Sequence, residues 1–157
     1  MLLRPATVDD APAISALIQC NLAHLTIDPS GMGAERFLEF VTPQAIRAYV
    51  ELPSFRYVVA MADDCLAGVV AIRNGTHLHH LFVQPQWQRR GLGRRLWAHA
   101  RQSLVNVHAG ALTVNSSANA VPVYQAFGFQ ESGPRVEEHG VAFIPMRLVV
   151  RQPPGDP

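Results

Sequence analysis

The segment His77–Gly93, HLHHLFVQPQWQRRGLG, constrains the fold of this chain more than any other. An apolar and aromatic run leads into a short loop with Pro85, and a glycine pair then opens an amphipathic stretch, RRGLGRRLWAHARQSL. The pattern reads as strand, loop and helix. At such a junction several backbone N–H groups converge beside the positive end of a helix dipole, a seat suited to a phosphate or pyrophosphate. Gly91 and Gly93 lack the Cβ atoms that would hold an anion away from the backbone. A short Gly-x-Gly carries little weight alone; here it coincides with an arginine cluster. Arg89, Arg90, Arg94, Arg95 and Arg101 all fall in this loop and helix. They form either a solvated helix face or the partners of an anionic ligand.

The remaining chain supplies a mixed α/β pattern. Met1–Ala6 reads as a strand, and Thr7 as the N-cap of a helix whose apolar residues recur at Ile14, Leu17, Ile18 and Leu22. A loop over Thr26–Gly33 precedes a helical stretch from Ala34 to Val50, interrupted near Pro43, where Thr42 is placed to cap a new turn. Phe55–Met61 and Leu66–Ile72 form a predicted hairpin around Asp63–Asp64, and Asn74–Gly75 turns the chain into the His77 strand. Ala111–Asn115 is a further strand, Ala120–Phe127 a short helix, and Phe129 onward with Val141–Val150 the last strands. The fold class expected is a mixed, mostly antiparallel central sheet flanked by helices.

With 157 residues, 48% of them hydrophobic and 16% charged, the chain is expected to form one domain over residues 1–150 with a flexible proline-rich tail at 151–157. The net charge of +1 gives no support to nucleic acid as a partner. No apolar run is long enough to cross a bilayer, so no membrane association is expected. Cys20 and Cys65 make neither a metal spacing nor a disulfide framework, which points to no metal and a reducing, cytoplasmic setting.

Two landmarks in the C-terminal half resemble the GCN5-related N-acetyltransferase (GNAT) superfamily. Gln88-Arg89-Arg90-Gly91-Leu92-Gly93 matches its Gln/Arg-x-x-Gly-x-Gly/Ala acetyl-CoA signature after the fourth strand. Asn119, followed by Tyr124-Gln125-Ala126-Phe127-Gly128-Phe129, matches its second landmark. The element order agrees from end to end. Within the superfamily, His77-Leu78-His79 and the tyrosine segment resemble those of the arylalkylamine (serotonin) N-acetyltransferases.

The resemblance implies direct acetyl transfer from acetyl-CoA, as co-substrate, to a primary amine, expected to be a small molecule. The backbone of Arg89, Arg90, Gly91, Leu92, Gly93 and Arg94 would hold the pyrophosphate. Leu81, Phe82 and Val83 would lie along the pantetheine, with strand backbone pairing to its amides. Asn119 would either hydrogen-bond the cofactor or cap the following helix. His77 and His79, two apart on a strand, share a face by strand alternation and would take the amine proton directly or through water, whereas His80 is expected on the opposite face. The alternative for all three is ordinary strand packing. Tyr124 would give a proton to the departing thiolate, or else is a core aromatic packed with Phe127 and Phe129. Trp87 either shields the glycine loop or fills a surface groove. Glu35, Phe37, Phe40 and Tyr49 lie in the segment that covers the acceptor in similar folds, with core packing the alternative for the aromatics. A protein N-terminus or lysine as acceptor, and a catalytically silent CoA-binding regulator, are the competing readings. Val141–Val150 is apolar enough to permit a homodimer.

Overall fold

The computed structural model describes residues 1–104 and 110–149. The expected tail at 151–157 and the end of the last strand at Val150 lie outside the described residues. The strands are β1 (Leu2–Pro5), β2 (Phe55–Ala62), β3 (Cys65–Arg73), β4 (His77–Val83), β5 (Ala111–Ser116), β6 (Gln130–Glu131), β7 (Val136–Glu138) and β8 (Val141–Val149). The helices are α1 (Ala11–Cys20), α2 (Leu22–Leu25), α3 (Glu35–Glu39), α4 (Pro43–Glu51), α5 (Leu92–Gln102) and α6 (Val121–Ala126). The sheet runs β1-β2-β3-β4-β5-β8-β6, with β7 paired to β8 beside that path. Every pairing is antiparallel except β4 with β5. The mixed, mostly antiparallel class expected from sequence is therefore the observed one.

Two apolar layers sandwich the sheet. On one face α5 and α6 bury Leu96, Trp97, Val121 and Tyr124 against Val70, Ile72, Leu78, Val114 and Met146. On the other, α1 and α4 bury Ile14, Leu17, Ile18 and Ile46 against Tyr57, Val59, Val69 and Ala71. Local chemistry sets the helix starts. Arg4 clamps Asp10 with two hydrogen bonds of 2.8 and 2.9 Å, and Asp10 in turn accepts the Thr7 N–H at 2.7 Å. The helix predicted from Ala34 to Val50 is broken at Pro43 as expected, and Thr42 Oγ1 accepts the Ala45 N–H at 3.1 Å. The predicted first helix is interrupted where the Asn21 side chain donates to Leu17 O at 2.9 Å, leaving Leu22 to a separate turn.

Beyond Phe129 the strands number one more than the sequence pattern suggests, because β7 and β8 form a hairpin around His139–Gly140. Both turn residues have positive φ, 51° and 77°, the combination that matches hairpin twist. β8 pairs with β5 along one edge and with β6 along the other, and β7 pairs with Val141–Phe143 at its start.

Candidate active site

The parallel pair is where the sheet opens. β4 and β5 pair only at His77–Thr113 and Leu78–Val114, after which the strands part. A cleft of about 290 Å³ fills the gap, lined on the strand side by Arg73, His77, His79, His80, Leu81, Phe82, Val114 and Asn115. Tyr124 and Ser117 reach it from the α6 side. Leu25 and Phe37 from the N-terminal helices, with Val141, Ala142 and Phe143 of β8, complete the wall. Among the described residues, the β4 edge beyond Leu78 has no partner strand on this side, so its backbone can accept an extended, amide-bearing chain as an added strand.

β4 leads from the cleft into the glycine loop, tied down where Gln88 Nε2 donates to Val83 O at 3.0 Å. Gly91 has φ of 82°, a left-handed conformation that a side chain would strain. Gly93 is different: a Cβ there would meet only Val83, at 3.9 Å. Nothing inside the protein demands glycine at 93. The first bond of α5 runs from Arg95 N–H to Gly91 O at 3.1 Å. Among the described residues, none of the N–H groups from Arg89 to Arg94 has a protein acceptor, as the start of a helix leaves them. Arg94 and Arg95 sit in the first turn, where a cation opposes the helix dipole, and no acidic residue accompanies them. None of the ion pairs among the described residues involves Arg89, Arg90, Arg94 or Arg95. The loop thus concentrates free N–H donors and positive charge in one place. Arg90 lies 5.4 Å above the half-buried Trp87 ring, which packs on the core and props the loop.

The histidines depart from strand alternation. Ala71 pairs with His80 but Ile72 pairs with Leu78, so His79 is the extra residue of a β-bulge. In place of the expected opposite face, His80 therefore lies beside His79, their rings 4.1 Å apart. His80 is buried and its Nδ1 is hydrogen-bonded to the Tyr57 hydroxyl at 3.2 Å, the packed role expected for it. His79 rests edge-on against Phe55 and Tyr49, at 5.2 and 6.1 Å between centroids. His77 Nδ1 is hydrogen-bonded to Thr113 Oγ1 at 2.8 Å. Burial, then the charge of Arg73, pulls His77 down to about 4. Burial, Arg73 and His77 pull His79 down to about 4, and burial holds His80 well below its ordinary value.

These shifts have a stability consequence with a definite sign. The folded-state values lie below the unfolded value of about 6.5, so the unfolded chain binds more protons between the two. The stabilisation is complete above about pH 6.5 and is lost as pH falls toward 4. Thermal melts between pH 7 and 4 should show the wild type losing Tm more steeply than a His77→Gln/His79→Gln variant. Parallel curves for the two proteins would show that other groups dominate acid unfolding.

Tyr124 is only 7% exposed, its ring edge-on to Phe127 and Phe129 at 6.1 and 5.7 Å. Its hydroxyl, however, makes no hydrogen bond among the described residues and is not sealed from solvent. Core packing and a place in the cleft wall thus coexist in one residue. Burial pushes its phenol up, so it stays protonated across ordinary pH. Asn119 is not brought into the cleft. It lies at the mouth of a neighbouring hollow with His24 and Arg135, accepts a 2.7 Å hydrogen bond from Ser117 Oγ, and caps no helix. Glu35 is exposed, its carboxyl held below its ordinary range by its own backbone N–H and that of Gly33. Phe40 is exposed, and of the four residues named in this segment only Phe37 lines the cleft. Sequence reasoning missed Arg73, Asn115 and Phe143; Arg73 was findable, since it precedes the Asn74–Gly75 turn that delivers His77.

The sheet splits at the one parallel pair among the described residues, and a helix N-terminus stands beyond the end of the split strand. The chain belongs to the GNAT acetyltransferase family: the model of the acetyltransferase (GNAT) domain matches residues 25–150. It is an N-acetyltransferase that uses acetyl-CoA as co-substrate. Among curated protein sequences, none matches it. A GCN5-related N-acetyltransferase structure from Rhodopseudomonas palustris superposes with a TM-score of 0.79 at 20% identity, over 95% of each chain. PaiA N-acetyltransferase from Thermoplasma acidophilum, in complex with coenzyme A, gives 0.73 at 14% identity over 95% of this chain and 98% of that one. The ribosomal-protein-S18-alanine N-acetyltransferase from Escherichia coli gives 0.70 at 18%, over 99% and 97%. No helix among the described residues is long and apolar enough to cross a membrane.

Proposed function

We propose that the acceptor is the primary amine of a small molecule, acetylated by direct transfer with Tyr124 as the acid and His77 and His79 as a base relay. The observation that carries this reading is that Tyr124 and both histidines line one cleft at the parting of β4 and β5. At about 290 Å³ the cleft matches the small end of ligand sites. Imidazoles held near 4 are uncharged at neutral pH and keep a lone pair for a proton. They are weak bases, but a nitrogen becomes far more acidic as it bonds to an acyl carbon, so a weak base suffices if transfer is timed with attack. Burial keeps the Tyr124 phenol protonated at neutral pH, so its proton can pass to the sulfur if transfer is timed with cleavage of the C–S bond. This division of roles resembles the arylalkylamine N-acetyltransferases, and the likeness is used for mechanism alone. Leu81, Phe82 and Val83 would run beside the pantetheine, and the Arg89–Arg94 backbone would hold the pyrophosphate. Asn119, at the edge of the next hollow, is a weaker candidate for cofactor contact. The exposed free thiols of Cys20 and Cys65 favour a reducing, cytoplasmic setting.

A CoA-release measurement with aryl-alkyl amines, amino acids, polyamines, aminoglycosides and peptides tests the proposal. Turnover confined to small amines is the expected result. Turnover confined to peptides would make the chain a protein N-terminal or lysine acetyltransferase. Acetyl-CoA binding without turnover of any amine would favour a silent CoA-binding regulator, a role that needs the glycine loop but neither Tyr124 nor the histidines.

A further inference from the structure

Among the described residues, Arg73 is the only permanently charged side chain lining the cleft. It is half-buried, and none of the ion pairs among the described residues includes it. On the strand ladder it stands opposite His77 of β4 and Phe55 of β2, so its side chain emerges beside the histidines on the same face. Among the described residues no Asp or Glu lines the cleft, whose other walls include Leu25, Phe37, Val141 and Phe143. We infer that the acceptor carries a carboxylate bound by Arg73, attached to an apolar or aromatic body: an amino acid of that kind rather than a polyamine or an aminoglycoside. The inference rests on the small-amine reading above and narrows it.

Three observations converge on this class. A polycationic acceptor would meet an arginine and no carboxylate, which is repulsion without compensation. The guanidinium presents a planar fork of donors that matches a carboxylate in two parallel hydrogen bonds. An α-amino acid also holds its nitrogen two bonds from the carboxyl carbon, so a carboxylate on Arg73 keeps the amine near His77 and His79. The side chain is then left to the apolar wall. A carboxylate there also offsets the arginine charge that depresses the two histidines, which makes them better bases once the acceptor is seated.

The test uses matched pairs that differ only by the carboxylate: phenylalanine with phenethylamine, tryptophan with tryptamine, leucine with isopentylamine. CoA release gives kcat/KM for each. The wild-type protein should prefer the carboxylated member by about 10- to 100-fold, the range of a charge-assisted hydrogen-bonded pair. Arg73→Met should bring that ratio to near one, and Arg73→Lys should restore part of it. A wild-type preference for the decarboxylated members overturns the inference, as does a ratio that Arg73→Met leaves unaltered. Turnover of polyamines or aminoglycosides in preference to every pair also overturns it while leaving the transferase reading intact. Turnover of no amine at all removes both.

Discussion

Replacing Tyr124 with phenylalanine is expected to lower kcat by about 100- to 10,000-fold, the usual worth of a positioned acid, while acetyl-CoA binding is retained. The structure makes this a clean substitution. The ring packs against Phe127 and Phe129, contacts a phenylalanine reproduces, and the hydroxyl has no hydrogen-bond partner among the described residues to lose. Thermal stability should therefore stay near the wild-type value. Calorimetric titration with acetyl-CoA, beside the CoA-release rate, separates binding from chemistry. Unchanged turnover would remove Tyr124 from the mechanism and return it to the core. A loss of binding together with rate would mean that the hydroxyl grips the co-substrate rather than supplying a proton.

The second large effect is on stability. Gly140 ends the β7–β8 turn with φ of 77°, and its carbonyl accepts the Ile27 N–H at 2.9 Å. A Cβ at this position would fall 2.7 Å from Ala34 N and closer still to the Gly33 carbonyl. Both obstacles are backbone and cannot rotate away. Gly140→Ala adds left-handed strain of about 1–2 kcal/mol to a collision that must push two loops apart, so the total should reach about 3 kcal/mol or more. For a chain of this size that lowers Tm by roughly 10 °C. Gly33→Ala is the internal control, because its φ is also positive, 87°, yet a Cβ there meets nothing within 4 Å. It should cost only the strain. Equal losses in the two variants would mean that the turn conformation, not the docking of one loop on the other, sets the stability.

Much of the framework was legible because it is written in local chemistry. Thr42 before Pro43 marks a helix start, and Asn74–Gly75 marks a hairpin. Gly91, near a cluster of arginines after an apolar strand, marks the turn that opens α5. The errors have a common physical origin in tertiary pairing. The bulge at His79 arises from the register of β3 against β4, so alternation within HLHHLFV could not show that His80 would turn to the same side as His79. The β7 strand is only Val136–Glu138, too short for a periodic signal, and it exists because β8 offers it an edge. Asn119 fits the family spacing, but its side chain is engaged by Ser117. Arg73 reads as a hairpin residue until the fold places it in one cleft with Leu25, Phe37 and Phe143.

The parting of β4 from β5 has a mechanical meaning as well as a chemical one. Two rungs hold the β1–β4 half of the sheet to the half built from β5, β8 and β6. A ligand that hydrogen-bonds along the open β4 edge while touching the far wall would act as a stitch across that seam. Binding would then be read out far from the reacting atoms, as slower amide exchange in β5 and a more cooperative melt. The same substance that supplies the acetyl group would supply the tensile continuity the sheet otherwise lacks.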